Sequence, residues 1–204
     1  MKPGEIENLS FKIIDSEAGS HNFTVQEWNI VRRMIHTSAD FEYMKSVRFH
    51  PAAVAAGIKA IQDGCTIVTD TNMARVGIRK GELALFGNGV HCLIADPDVS
   101  ERAKANGVTR AFAAMDKAAE LFDNGIYVIG NAPTSLLRLM DLIKDKTLTP
   151  ALVVGLPVGF VNAAESKAEL INLDIPFISN VGRKGGSNVA ASVVNALSIM
   201  AAEE

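Results

Sequence analysis

The chain is poor in cysteine, in long apolar runs and in any excess of one charge, and each shortage closes off a class of function. Its two cysteines, Cys65 and Cys92, lie in or beside apolar stretches, and neither has a partner at the spacing of a metal site or a redox pair. They are expected to be buried, reduced thiols of a cytoplasmic protein. The formal net charge is −3. A general nucleic-acid binder needs a basic face to neutralise phosphates, so that class is excluded, although local clusters of Arg and Lys around an anionic ligand are not. No apolar run reaches the ~20 residues needed to span a bilayer. The longest, Pro150 to Ala164, is broken by Gly155, Pro157 and Gly159. The opening MKPGEIENLSF lacks a charged region followed by an apolar one, so neither a signal peptide nor membrane association is expected. Familiar catalytic signatures are missing as well: there is no GxxxxGK[ST], no GxGxxG, no HExxH and no GxSxG. A resident metal is therefore not expected.

With 48% apolar and 21% charged residues, the composition is that of an ordinary globular protein, and residues 1–204 are expected to form one domain. Short Val- and Ile-rich runs bounded by Gly, Pro, Asn or Asp read as strands: Thr66 to Asp70, Val90 to Ala95, Ile126 to Gly130, Ala151 to Gly155 and Phe177 to Asn180. Segments of helical character alternate with them: Ala52 to Gln62, Arg110 to Phe122, Thr134 to Lys144, Ala163 to Leu170 and Ser187 to Ala201. Strands apolar on both faces, alternating with helices, predict an α/β protein: a three-layer α/β/α arrangement around a mainly parallel central sheet.

One further helix precedes the sheet. Thr24-Val25-Gln26-Glu27 fits a capping box, and Trp28, Val31 and Ile35 then recur at helical spacing and should face the core. Arg33 and His36, three apart, are expected to share another face near the helix C-terminus, whose partial negative charge favours cations.

The informative segments follow the strands. They are Asp70-Thr71-Asn72-Met73; Gly130-Asn131-Ala132-Pro133-Thr134; Gly155-Leu156-Pro157-Val158-Gly159-Phe160; and Asn180 through Asn188, which contains Gly182-Arg183-Lys184-Gly185-Gly186-Ser187. In open α/β sheets, ligands bind outside the carboxyl ends of the strands, where such loops converge. Glycines there permit close backbone approach and expose N–H donors to an anion. The plainer alternative is that Gly and Pro punctuate turns, and that Thr71, Asn131 and Ser187 cap helices. The Gly182–Ser187 loop is compatible with a phosphate cradle, and equally with a carboxylate-rich ligand. Of the four histidines, His50 before Pro51 and His91 in a strand read as structural. His36 stands apart, beside Arg33 at a helix end.

Several segments, in order and spacing, resemble the precorrin-8X methylmutase family. They are Ser10-Phe11 with Ile13-Ile14; Val31 through Thr37; Thr69 through Met73; Gly130 through Thr134; Pro157 through Val161 with Ala163-Ala164-Glu165-Ser166-Lys167; and Gly182 through Asn188. The resemblance covers almost the whole chain. It implies an isomerase of corrinoid biosynthesis, a homodimer with active sites at the subunit interface. The reaction implied is a suprafacial 1,5-sigmatropic methyl shift from C-11 to C-12 of a tetrapyrrole, giving cobyrinic or hydrogenobyrinic acid. The family's catalytic histidine falls on His36. Its substrate-contacting serine and arginines fall on Ser10, Arg33 and Arg110. Thr71, Asn131, Arg183 and Lys184 join them as candidate contacts for the ring's carboxylates. An intramolecular migration needs no cofactor, and cobalt, if present, would arrive within the substrate. The segments around Thr69–Met73 and His36–Phe41 resemble the cobalt-using branch. Two other functions remain open: a corrinoid carrier without turnover, and a nucleotide-dependent enzyme using the Gly182–Ser187 loop.

Overall fold

The computed structural model describes residues 3–203. Helix α1 (Pro3–Ala18) leads to α2 (Val25–Ser38), a single turn α3 (Tyr43–Ser46) and strand β1 (Val47–Phe49). Then come α4 (Ala53–Gln62), β2 (Ile67–Thr69), α5 (Asn72–Gly77), α6 (Gly81–Ala84) and β3 (Val90–His91). Helix α7 (Pro97–Asn106) follows, and from α8 (Arg110–Leu121) onward helix and strand alternate: β4 (Ile126–Ile129), α9 (Pro133–Lys144), β5 (Leu152–Gly155), α10 (Ala163–Ile171), β6 (Phe177–Asn180) and α11 (Ser187–Glu203).

The six strands form one sheet in the order β1-β6-β5-β4-β2-β3, parallel throughout except for β1, which runs antiparallel to β6. The central strands are buried on both faces, and their period of two divides them between two cores. Ile67, Ile126, Val128, Leu152, Val154 and Ile178 pack with α2, α4 and α11. Val68, Tyr127, Ile129, Val153 and Phe177 face α7, α8, α9 and α10. This is the α/β/α layering that the alternation predicts. Helix α11 is buried nearly all round because it lies beneath α2, α4 and α5 as well as beside the sheet.

The structure adds elements that the sequence did not announce. Helix α1 carries apolar residues on two stripes: Phe11 and Ile14 turn inward, while Ile6, Leu9 and Ile13 are exposed. Two stripes blur the single-faced periodicity by which a helix is read. Strand β1 has only three residues, too few to alternate visibly. Strand β3 stops at His91 instead of running to Ala95: it lies at the sheet edge, and Leu93 and Ile94 pack into the second core instead. The thiols of Cys65 and Cys92 are free but half-buried rather than fully buried.

Among the described residues, no helix is long and apolar enough to cross a membrane.

Candidate functional site

The chain passes from β2 outward to β3, then returns across β2 to β4, so the strand order reverses between β2 and β4. A reversal of this kind opens a crevice at the carboxyl ends of the two strands. Four loops meet there. Thr71 Oγ1 lies 2.7 Å from Ser187 Oγ, joining the β2 end to the start of α11. Gly186 N donates to Leu156 O at 2.9 Å, and Gly159 N to Arg183 O at 3.2 Å, joining the β5 and β6 loops. Two glycines are required by this closeness. A Cβ on Gly130 would stand 2.6 Å from Ser187 Cα, and one on Gly185 only 2.2 Å from Leu156 O.

Asp70 fills the crevice's own ring of donors. Its carboxylate, 2% exposed, accepts from Gly130 N at 2.9 Å, Asn131 N at 2.8 Å and Ala132 N at 2.7 Å. Burial pushes its pKa up, against the opposing pull of those three amides. The amides of the loop after β4, Gly130 to Ala132, are thus satisfied from within the chain. The sequence reading missed this role of Asp70; the only signal was an Asp at a strand end.

His36 lies in the last turn of α2 and is exposed. The capping box is formed: Glu27 N donates to Thr24 Oγ1, and Thr24 N to Glu27 Oε2. Ile30, Val31, Met34 and Ile35 seat the helix in the core, with Trp28 half-buried at its edge. The helix ends at Ala39, which adopts a left-handed conformation with φ 53° and donates its N–H to Ile35 O at 2.7 Å. Helix α1 crosses this end. Ser10 Oγ lies 2.8 Å from His36 Nδ1, and Phe11 meets the imidazole edge-on at 5.3 Å. Ser10 and His36 line a cavity of about 240 Å³ with Ile14, Ala39 and Phe41.

Arg33 lies on the same face of α2, against the same Phe11 ring, but does not share that cavity. It opens with Glu7, Arg32, Arg79 and Met200 onto another, of about 480 Å³. The aromatic ring of Phe11 lies against both residues, 5.2 Å from the Arg33 guanidinium, and Glu7 accepts from Arg33 Nη1 at 2.9 Å. Arg110 is further removed. It is exposed at the head of α8, where Thr109 caps the helix and donates to Thr134 Oγ1 at 3.2 Å. That places it at the strand-end edge, but on the layer across the sheet from His36. Thr71 caps α5 by accepting from Ala74 N, as the plainer reading anticipated, and also reaches Ser187. Asn131 is exposed at the end of β4. Arg183 is exposed, with its guanidinium 5.5 Å from the Phe160 ring. Lys184 turns its ammonium to Asp40 at 2.5 Å and Glu42 at 2.7 Å. Beneath it, the fully buried Lys167 donates to Asn180 Oδ1 at 3.0 Å and to Lys184 O at 2.5 Å. Burial pushes the Lys167 pKa down to about 8. The remaining histidines serve structure: His50 accepts from Ala52 N, His21 stacks on Trp28 at 4.1 Å, and His91 tilts over Phe122.

Comparison with known proteins places these features in a family. A family model described as precorrin-8X methylmutase matches residues 5–200. The cobalt-precorrin-8 methylmutase of Priestia megaterium is 51% identical over 201 residues, covering 98% of this chain and 89% of that protein. The precorrin-8X methylmutase of a Sinorhizobium species is 36% identical, covering 92% of this chain and 90% of its own. A crystal structure of precorrin-8x methyl mutase from Thermus thermophilus superimposes with a TM-score of 0.92 at 48% identity, covering 98% of this chain and 96% of that one.

Proposed function

The chain belongs to the precorrin-8X methylmutase family, isomerases of cobalamin biosynthesis, and from that premise we propose that His36 is its catalytic group and that its substrate is cobalt-precorrin-8. The observation that carries the first part is the contact of 2.8 Å between Ser10 Oγ and His36 Nδ1. With Nδ1 occupied by the serine hydroxyl, Nε2 is left as the ring nitrogen that exchanges a proton with a ligand. The methyl group moves from C-11 to C-12 within one conjugated ring, so no external nucleophile or methyl carrier is required. His36 gives its Nε2 proton to the ring system, the tautomer so formed carries the migration, and the proton returns once the methyl has moved. Help of this kind is worth on the order of 10²–10⁴-fold in rate.

The ring bears acetate and propionate carboxylates. Arg33, Arg110 and Arg183 supply cations for them, and Ser10, Thr71 and Asn131 supply polar contacts. No cofactor of the protein's own enters this chemistry; the cobalt is part of the substrate. The preference for the cobalt complex is supported by a relative named cobalt-precorrin-8 methylmutase at 51% identity, against one named precorrin-8X methylmutase at 36%.

The active unit is a homodimer in this reading. Two features support it: Ile6, Leu9 and Ile13 make an exposed apolar stripe on α1 beside Ser10, and Arg110 lies across the sheet from His36 within one chain. A cytoplasmic location is supported by two half-buried thiols without a disulfide. The phosphate-cradle alternative is weakened, because Lys184 is engaged by Asp40 and Glu42 and Arg183 alone is left as the loop's cation.

The test is anaerobic incubation of the purified protein with cobalt-precorrin-8 and, separately, with precorrin-8, followed by absorbance. Catalytic conversion of the cobalt complex is expected, and His36→Ala should lower turnover at least about 100-fold. Near wild-type turnover by that variant would overturn the assignment of His36, and a spectral change limited to one equivalent would mean a carrier.

A further inference from the structure

The six-residue loop between β6 and α11 is held from two sides, and Lys184 is the residue at which the two holds meet. From below, the Lys184 carbonyl takes hydrogen bonds from Lys167 Nζ at 2.5 Å and from Asn180 Nδ2 at 3.0 Å. Lys167 is fully buried, and no carboxylate among the described residues pairs with it. An ammonium in such a place is a poor way to fill a core, and its directed contacts are to Asn180 and to this carbonyl. The neighbouring carbonyl of Arg183 and the amide of Gly186 are tied to the β5 loop. The backbone of Lys184 is therefore a fixed point.

From above, the Lys184 side chain reaches the turn that follows α2. That turn is tight: after left-handed Ala39, the Glu42 amide donates to Asp40 Oδ1 at 3.0 Å, so the two carboxylates stand close together. Lys184 bridges both, at 2.5 and 2.7 Å, and holds the Asp40 carboxyl below the usual range while its own pKa is raised. Two neighbouring carboxylates without the cation would repel and open the turn. Ala39 and Phe41, within that turn, line the same cavity as Ser10 and His36.

We infer that Lys184 is a positioning residue that clamps the His36-bearing end of α2 to the strand-end loops, leaving Arg183 as the loop's cation for substrate carboxylates. This rests on the reading of His36 as the group that meets the ring. The three partners are 45%, 29% and 57% exposed in their side chains, and pairs so exposed add little to stability, so variants should fold.

The experiment measures kcat and KM of the full-length protein on cobalt-precorrin-8 for K184M, K184R, the pair D40N/E42Q and the combined triple variant, with melting curves for each. Expected are falls in kcat of about 10-fold for K184M and for D40N/E42Q, with KM within about 2-fold of wild type. The triple variant should be no slower than K184M, K184R should recover most of the rate, and K184M should have no effect on an H36A background. A rise in KM with kcat intact for K184M, together with a lower KM for D40N/E42Q, would make Lys184 a substrate ligand and overturn the inference. Wild-type kcat in all variants would overturn it too. Activity retained by H36A alone would sink the reading of His36 instead, which keeps the two failures apart.

Discussion

Replacing Asp70 by Asn tests whether the crevice between β2 and β4 is built around a negative charge. The carboxylate accepts three backbone N–H groups, Gly130 on one oxygen and Asn131 and Ala132 on the other. An asparagine of the same shape has one acceptor oxygen and an amide NH₂. Its best orientation keeps the oxygen towards Asn131 and Ala132 and turns the NH₂ against the Gly130 N–H, donor against donor. The loss is the Gly130 hydrogen bond to a charged acceptor, which leaves that buried N–H without a partner and costs about 1.5–3 kcal/mol. Part of this is offset because the neutral amide is easier to bury than a carboxylate whose pKa burial already raises. The net expectation is a loss of about 2 kcal/mol for Asp70→Asn, and about 4 kcal/mol for Asp70→Ala, which abandons all three amides. In a chain of this length that corresponds to falls in Tm of very roughly 6 and 12 °C. Urea unfolding at neutral pH with an unchanged m-value is the assay. A silent Asn variant beside a destabilised Ala variant would mean that the carboxyl is protonated and donates, and the reasoning would fail.

Other consequences follow from the same geometry. Ser10→Ala removes the partner of His36 Nδ1 and should lower kcat about 3- to 10-fold with a smaller change in KM, since one such bond is worth ~1 kcal/mol; an unchanged kcat would refute the orienting role. Ala39→Gly relieves a left-handed Cβ and should stabilise the protein by about 0.5–1 kcal/mol after the extra entropy lost by glycine, read as a higher urea midpoint. Lys167 has its pKa lowered to about 8 in the folded protein against 10.5 in the unfolded chain. Between those values the unfolded state binds more protons, so stability should rise with pH. Relative to Lys167→Met, wild type should gain about 2 kcal/mol between roughly pH 7.5 and pH 10, and a constant difference across that range would show that Lys167 does not titrate there.

The engaged cations explain why a rich supply of Arg and Lys need not mean a preformed anion site. Arg33 is held by Glu7, Arg32 by Asp15, and Lys184 by Asp40 and Glu42. A multiply charged ring would have to compete with carboxylates already in place. Arg183 and Arg110, both exposed, meet it without that exchange.

The sequence alone determined whatever depends on neighbours along the chain. The Thr24–Glu27 capping box, the core positions Val31 and Ile35, the strand Phe177–Asn180 and the convergence of four loops, three of them rich in Gly or Pro, at one sheet edge were all legible, because capping, periodicity and strand boundaries are local. The segments around His36, Gly130–Thr134 and Gly182–Asn188 also carried the family resemblance. What needed the tertiary structure were pairings between distant segments. Helix α1 wraps the end of α2 so that Ser10, 26 residues away, meets His36, and the same packing sends Arg33 into a different cavity. Asp70 reaches amides 60 to 62 residues on, and Lys184 reaches Asp40 across 144. No local period encodes such contacts. A carboxylate at a strand end or a lysine in a glycine-rich loop looks free until the folded chain brings its partner, and burial then makes that partner necessary.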